Sequence, residues 1–358
     1  MTRRYFRYLA WHYGRQFVIL LLGLSGAVVL IDFLQHMQKI QGGANQKILY
    51  LFYTWEYMVS LIYPLVILLA LAWTQITLTY RNVFVALFSF GYGKLRLLGP
   101  FVTVATLIYL LFLSLHTTDF AYGRDRARAI LHHQEEQGVE NLFFKYNDTF
   151  VFVTRLDPIH KRLYGGKIFR LQGRRVTETV QFDQADYRGE SWVAPRATVR
   201  RKLFDEEGAL RGFKEEQVRD LTLLKGYRPR VFERIYQGRT LTLDEAVSAW
   251  RLLARQELSA DKIKAILSNK VIMPLFALAM VIILFLKAPV YHRYIRKERL
   301  WLLYLGSALL SWALLFALYR LGLNGAVEPL YAQSSVVALL WAYALWLLWR
   351  HYRTERAG

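Results

Sequence analysis

The sequence predicts an α-helical membrane protein, with six transmembrane helices arranged three and three around an inserted all-β domain. Three observations predict it. Six apolar blocks each approach the ~20 residues a helix needs to cross a ~30 Å hydrocarbon core. One polar stretch, residues 117–265, divides them into two triplets. Within that stretch apolar and polar residues alternate with period two, the mark of half-buried strands.

The blocks run Phe17–Leu34, Leu49–Ile76 and Leu95–Leu115 before the insert, then Val271–Leu286, Leu300–Leu321 and Tyr331–Trp349 after it. Before the first lies Arg3–Gln16, where Tyr5, Phe6, Tyr8, Leu9 and Trp11 stand among basic residues. That mixture predicts a short amphipathic helix at the cytoplasmic interface. The first apolar run lacks a small-residue cleavage site and is followed by further spans, so it is expected to stay as a membrane helix. Pro64 lies in the second block and Pro274 at the start of the fourth, positions that membrane helices tolerate. Tyr50, Tyr53, Trp55, Trp301, Tyr304, Trp346 and Trp349 lie near span ends, as an aromatic belt requires. The expected division is 1–116, 117–265 and 266–358.

In the insert, Leu142, Phe144, Tyr146, Phe150 and Phe152 alternate with more polar neighbours. So do Val176, Val180 and Phe182, and again Val193, Ala197, Val199 and Leu203. Asn147-Asp148, Asp157-Pro158, Gly165-Gly166, Gly189 and Gly208 supply the turns. Several short strands at this spacing predict a sandwich or jelly roll. Asp119–Gln137 and Thr242–Gln256 read as flanking helices, the second capped by Thr242 or Asp244.

The formal charge of +20 is a topology signal. Residues 117–264 hold 28 basic and 22 acidic side chains, which leaves +14 for the remainder. Most of that excess sits beside the apolar blocks, in Arg3, Arg4, Arg7, Arg15, Arg81, Lys94, Arg96, Lys287, Arg293, Arg296, Lys297, Arg299, Arg350, Arg353 and Arg356. The opposite connections carry only Lys39, Lys47 and Arg320. The positive-inside rule then places both termini in the cytoplasm and translocates the insert. Nucleic acid is not an expected partner.

Catalytic signatures are missing. Gly91-Tyr92-Gly93-Lys94 lacks both the spacing and the Ser/Thr of a nucleotide-binding loop. Gly23-Leu24-Ser25-Gly26 is not a nucleophile elbow. With no Cys in the chain, thiolate chemistry and disulfides are excluded. The adjacent His132-His133 point apart on a helix, a poor metal pair. Neither an enzyme activity, a metal nor a cofactor is expected.

Two places carry functional expectation. Between the second and third blocks runs Thr79 to Lys94, where Phe84, Leu87, Phe88 and Gly91 fall on one helical face after Arg81. A short apolar helix of this kind either inserts into a partner's groove or lies on lipid. Asp32 sits near the outer end of the first block, with Lys39 and Lys47 just beyond. Charges at that depth either contact anionic lipid phosphates or reach interfacial water by snorkelling.

At these residues the chain resembles the permease subunits of the lipopolysaccharide exporter, the LptF/LptG (YjgP/YjgQ) family, over nearly its whole length. Arg81…Val85…Ser89-Phe90-Gly91-Tyr92 resembles the family's R-S-E-L-V-V…A-S-G-[FY] coupling segment, although Asn82-Val83 replaces Ser-Glu. Tyr63-Pro64 stands where the family has Leu-Pro. Ala185-Asp186-Tyr187…Trp192 and Leu243-Asp244-Glu245-Ala246 are similar to motifs of the family's β-domain and the helix after it. Asn269-Lys270…Met273-Pro274-Leu275 resembles its R-x-A-x-P-L motif without the arginine. Ile31-Asp32-Phe33-Leu34-Gln35 is closer to LptG than to LptF.

The resemblance implies an ABC-type exporter subunit in the inner membrane of a Gram-negative cell, with a periplasmic β-jellyroll. It implies a second, LptF-like permease, an LptB-like cytoplasmic ATPase dimer that binds the ATP, and an LptC/LptA-like periplasmic bridge. Lipopolysaccharide would be the substrate. Arg81, Phe84, Leu87, Phe88 and Gly91 would couple to the ATPase, and Asp32, Lys39 and Lys47 would lie at the lipid phosphates. A periplasmic ligand-binding receptor acting through a partner is the alternative, although no cytoplasmic segment is long enough for a signalling domain.

Overall fold

The computed structural model describes the chain except residues 1, 41–42, 133–138, 147–148, 158–159, 173–174, 190, 205–209, 226–239, 255–259, 290–295, 325 and 358. The expected turn residues Asn147-Asp148, Pro158 and Gly208, the helix ends beyond His132 and Ala254, and Arg293 therefore lie outside the described residues.

Helices α1 (Thr2–His36), α2 (Ala44–Tyr80), α3 (Val83–Ser89), α4 (Lys94–Leu115) and α5 (Gly123–His132) precede the strands. After them come α6 (Leu243–Ala254), α7 (Asp261–Leu267), α8 (Leu275–Lys287), α9 (Lys297–Leu323) and α10 (Pro329–Ala357). Six candidate spans result, because α7, a π turn at Ser268–Ile272 and α8 run on as one. Two compact units form: 1–131 with 242–246 and 260–358, and 132–241 with 247–259.

In the first unit α2 and the Asp261–Lys287 span are central. Their most apolar windows are 67% and 72% buried, against 17% for α1 and 22% each for α9 and α10. The outer three helices thus present long apolar faces (Ile31, Leu34, Leu302, Leu310) suited to lipid or to other membrane helices. Tyr63, next to Pro64 in α2, stacks on Phe112 with ring centroids 4.0 Å apart.

Three expectations change in this unit. Arg3–Gln16 is not a separate interfacial helix but the start of α1. No proline breaks the run, and Leu9, Tyr13 and Phe17 are buried in the bundle. Tyr13 donates to the Ile67 carbonyl at 3.0 Å and packs on Phe101. The fourth span begins ten residues before its apolar block, at Asp261. Tyr304, read as an interfacial aromatic, is 1% exposed. Thr242, not Asp244, caps α6: Thr242 Oγ1 accepts from Glu245 N and Glu245 Oε2 accepts from Thr242 N, a reciprocal capping box.

The second unit holds one antiparallel sheet in sequential order, β1 (Val139–Tyr146), β2 (Thr149–Asp157), β3 (Arg162–Gln172), β4 (Arg175–Arg188), β5 (Ser191–Phe204) and β6 (Leu210–Leu223). Its core lies on one face, around Val151, Ile168, Phe182, Trp192 and Val199. A crease crosses the sheet. One row of paired core residues runs Val153, Gly166, Phe182, Ala197, Val218. The next core row includes Leu156, Leu163, Ala185, Ala194 and Leu221. Two residues separate the rows along each strand, where simple alternation allows one. Gly165 (φ +61°) and Asp220 (φ +52°) take left-handed conformations within the crease. Such irregularities bend strands and deepen their twist. This is why Val193, expected to share a face with Ala197, instead leaves Trp192 and Ala194 buried.

Candidate functional site

The ends of α1, α2, α4, α8 and α10 that carry most of the basic residues meet at one pole, and α3 lies there. Asn82 (φ +55°) turns the chain out of α2, and Gly91 (φ +79°) turns it toward α4. Asn and Gly are the residues that visit this left-handed region most readily. Between those turns α3 is only seven residues long.

The face that helical spacing selects points inward. Phe84 is 4% exposed and meets Phe285 of α8 edge to face, ring centroids 5.9 Å apart. Leu87 and Phe88 pack partly buried against the same core. Arg81, Asn82, Ala86, Ser89, Phe90 and Gly91 form the exposed side. Phe90 is 77% exposed, the largest value among the described large apolar residues. Of the expected set, Arg81 and Gly91 are accessible, while Phe84, Leu87 and Phe88 serve first to seat α3 on its own bundle.

Beneath α3 the last turn of α8 is held by side chains from three other helices. A helix ends with four carbonyls that its own backbone cannot satisfy. Here Phe285 O accepts from Gln75 Nε2 of α2 at 3.3 Å. Lys94 Nζ, at the first residue of α4, donates to Leu286 O at 2.5 Å and Ala288 O at 2.9 Å. Tyr304 Oη of α9 donates to Gln75 Oε1 at 2.5 Å and lies 3.4 Å from Leu284 O. A cationic side chain at a helix C-terminus also meets the negative end of the macrodipole. Next to this turn, Glu355 of α10 caps α4: its Oε1 accepts from Leu95 N at 3.2 Å, and its carboxylate lies against Gly93. Sequence reasoning noted Lys94 only as a topology charge and missed Gln75 and Glu355. The available signal was a lone Gln inside a long apolar block.

The second expected site is divided. Asp32 Oδ2 accepts a 2.6 Å hydrogen bond from Tyr50 Oη, and His36 Nδ1 lies 3.5 Å from Oδ1. Asp32 therefore clasps α1 to α2. Lys39 is exposed in the turn after α1, and Lys47 is half-buried in the first turn of α2. Neither makes an ion pair with Asp32 among the described residues.

Six apolar spans, an inserted antiparallel sheet and a short helix between spans two and three define a multi-pass membrane protein. The family described as "Lipopolysaccharide export system permease LptF/LptG" matches residues 7–350. The chain belongs to that family of transporter permeases, so it is a multi-pass inner-membrane protein and works within the Lpt transport system. That description covers LptF and LptG together. A search of the curated proteins returns no match.

Proposed function

We propose that this chain is one of two permeases of an ABC-type exporter that lifts lipopolysaccharide out of the inner membrane and passes it to a periplasmic bridge. Both termini and α3 face the cytoplasm, and the sheet unit faces the periplasm. An LptB-like ATPase dimer docks on the exposed side of α3, an LptF-like permease pairs with this LptG-like chain, and LptC/LptA-like proteins receive the lipid. Family membership over residues 7–350 carries the reading, and the gathering of basic residues at the α3 pole supports its orientation.

The energetics fit an external motor. Each acyl CH₂ withdrawn from the bilayer costs about 0.8 kcal/mol, so a multiply acylated lipid does not leave spontaneously. The creased sheet, apolar on one face, is suited to shelter such chains. Lys39 and Lys47 supply ammonium groups for the lipid phosphates, while Asp32 fixes the helices that carry them.

Co-purification from the native membrane tests the reading. A second permease and a soluble ATPase are expected with the unaltered chain. Phe90→Asp and Arg81→Glu are expected to lose the ATPase and keep the permease pair. Recovery of the chain alone would overturn it. Charge reversal at Lys39 and Lys47 is expected to weaken photocrosslinking to lipopolysaccharide, and undiminished crosslinking would return both lysines to snorkelling.

A further inference from the structure

The junction after α3 is built unlike an ordinary helix start. Lys94 is the first residue of α4, four residues beyond the exposed Phe90. Its one ammonium reaches two carbonyls at the far end of α8, 192 and 194 residues away in sequence. At the same turn Phe84 of α3 rests on Phe285, whose carbonyl is held by Gln75. The segment from α3 to the start of α4 therefore meets the end of α8 twice, through the Phe84 ring of α3 and through the Lys94 clamp of α4. Such bonds lose most of their strength when stretched beyond about 3.5 Å, so the start of α4 and the end of α8 stay joined only while Lys94 reaches both carbonyls.

We propose that Lys94 is a positioning residue that transmits movement of the α3 segment to the fourth span, with the end of α8 as the receiving element. The proposal rests on the exporter reading for the source of that movement. α8 is central in its unit, so its displacement is felt by α2, α4 and α10, which all pack on it.

Two measurements on the whole reconstituted complex test it. In the first, lipopolysaccharide transferred per ATP hydrolysed is measured in proteoliposomes. Lys94→Met keeps the stem but removes both donors, and is expected to lower that ratio by about tenfold, within the usual range of coupling between sites. Lys94→Arg, which keeps a cationic donor, is expected to restore most of it. An unchanged ratio for Lys94→Met, or equal loss for Lys94→Arg, would overturn the proposal.

The second measurement does not depend on transport. The chain has no Cys, so spin labels at Ser89→Cys and Lys287→Cys, with partner subunits freed of reactive Cys, report a single distance. That distance is expected to stay constant between nucleotide-free and nucleotide-trapped complexes when Lys94 is present, and to vary with Lys94→Met. A distance that varies with Lys94 in place would overturn the link. Whether the ATPase accompanies the unaltered chain tests the exporter reading separately.

Discussion

Gly166 lies directly beneath the ring of Phe182: a Cβ built on Gly166 would fall 2.0 Å from Phe182 Cζ. The two are paired across β3 and β4 in the first row of the crease. The ring fills the volume that any side chain at 166 would need. Gly166→Ala is therefore expected to destabilise the sheet unit by about 1–3 kcal/mol, the usual cost of overpacking. Limited proteolysis of the full chain measures it. Adding Phe182→Leu is expected to recover part of the loss, and an additive double variant would show that the ring is not the obstacle.

Tyr304 and Gln75 form the buried polar bridge between α9 and α2. Tyr304→Phe removes the donor and leaves Gln75 Oε1 without its partner, an expected loss of about 1–3 kcal/mol. Thermal unfolding in detergent reads this as a lowered midpoint. A Tyr304→Phe, Gln75→Leu double variant is expected to fall less than the sum of the singles, although Phe285 O then lacks its donor.

His116, just past the end of α4, sets a pH dependence. Phe112 O is an acceptor only, so Nδ1 carries the proton in their 2.6 Å hydrogen bond, and Nε2 accepts from Ser60 Oγ at 2.9 Å. Burial, with Lys270 adding, pushes the imidazole down to about 4, against the opposing bond to Phe112. The folded protein therefore holds His116 neutral while an unfolded chain protonates near about 6.5. The His116 contribution to stability is expected to be full above about pH 6.5, to fall as pH drops, and to level off below about pH 4, a total of about 3 kcal/mol. Unfolding midpoints across that range, compared with His116→Gln, check it. Parallel curves would dismiss the histidine.

Phe84 and Phe90 are expected to separate cleanly. Phe84→Ala opens a cavity against Phe285 and is expected to cost about 3–5 kcal/mol of stability. Phe90→Ala changes an exposed side chain and is expected to stay within about 0.5 kcal/mol. Detergent melting curves of the two variants decide, and equal losses would place Phe90 in the core.

The six spans were legible because hydropathy over twenty residues survives local irregularity. The crease was not, since a one-residue change in alternation at Pro195-Arg196 reads in sequence as noise within a strand. Helical spacing found the apolar face of α3, yet spacing cannot say whether such a face meets a partner or its own bundle. Phe84 shows that it meets the bundle first. Tyr304 was misplaced for a related reason. An aromatic near a span end belongs to the lipid interface only if no neighbouring helix offers a buried acceptor, and Gln75 does.

The donors that complete α8 also bear on how the chain is made. Gln75 and Lys94 are synthesised some two hundred residues before the carbonyls they satisfy. Until α8 is inserted, the first triplet carries an unmatched ammonium and an unmatched amide at one pole. The polar contacts of that pole are therefore completed only by the second half of the chain.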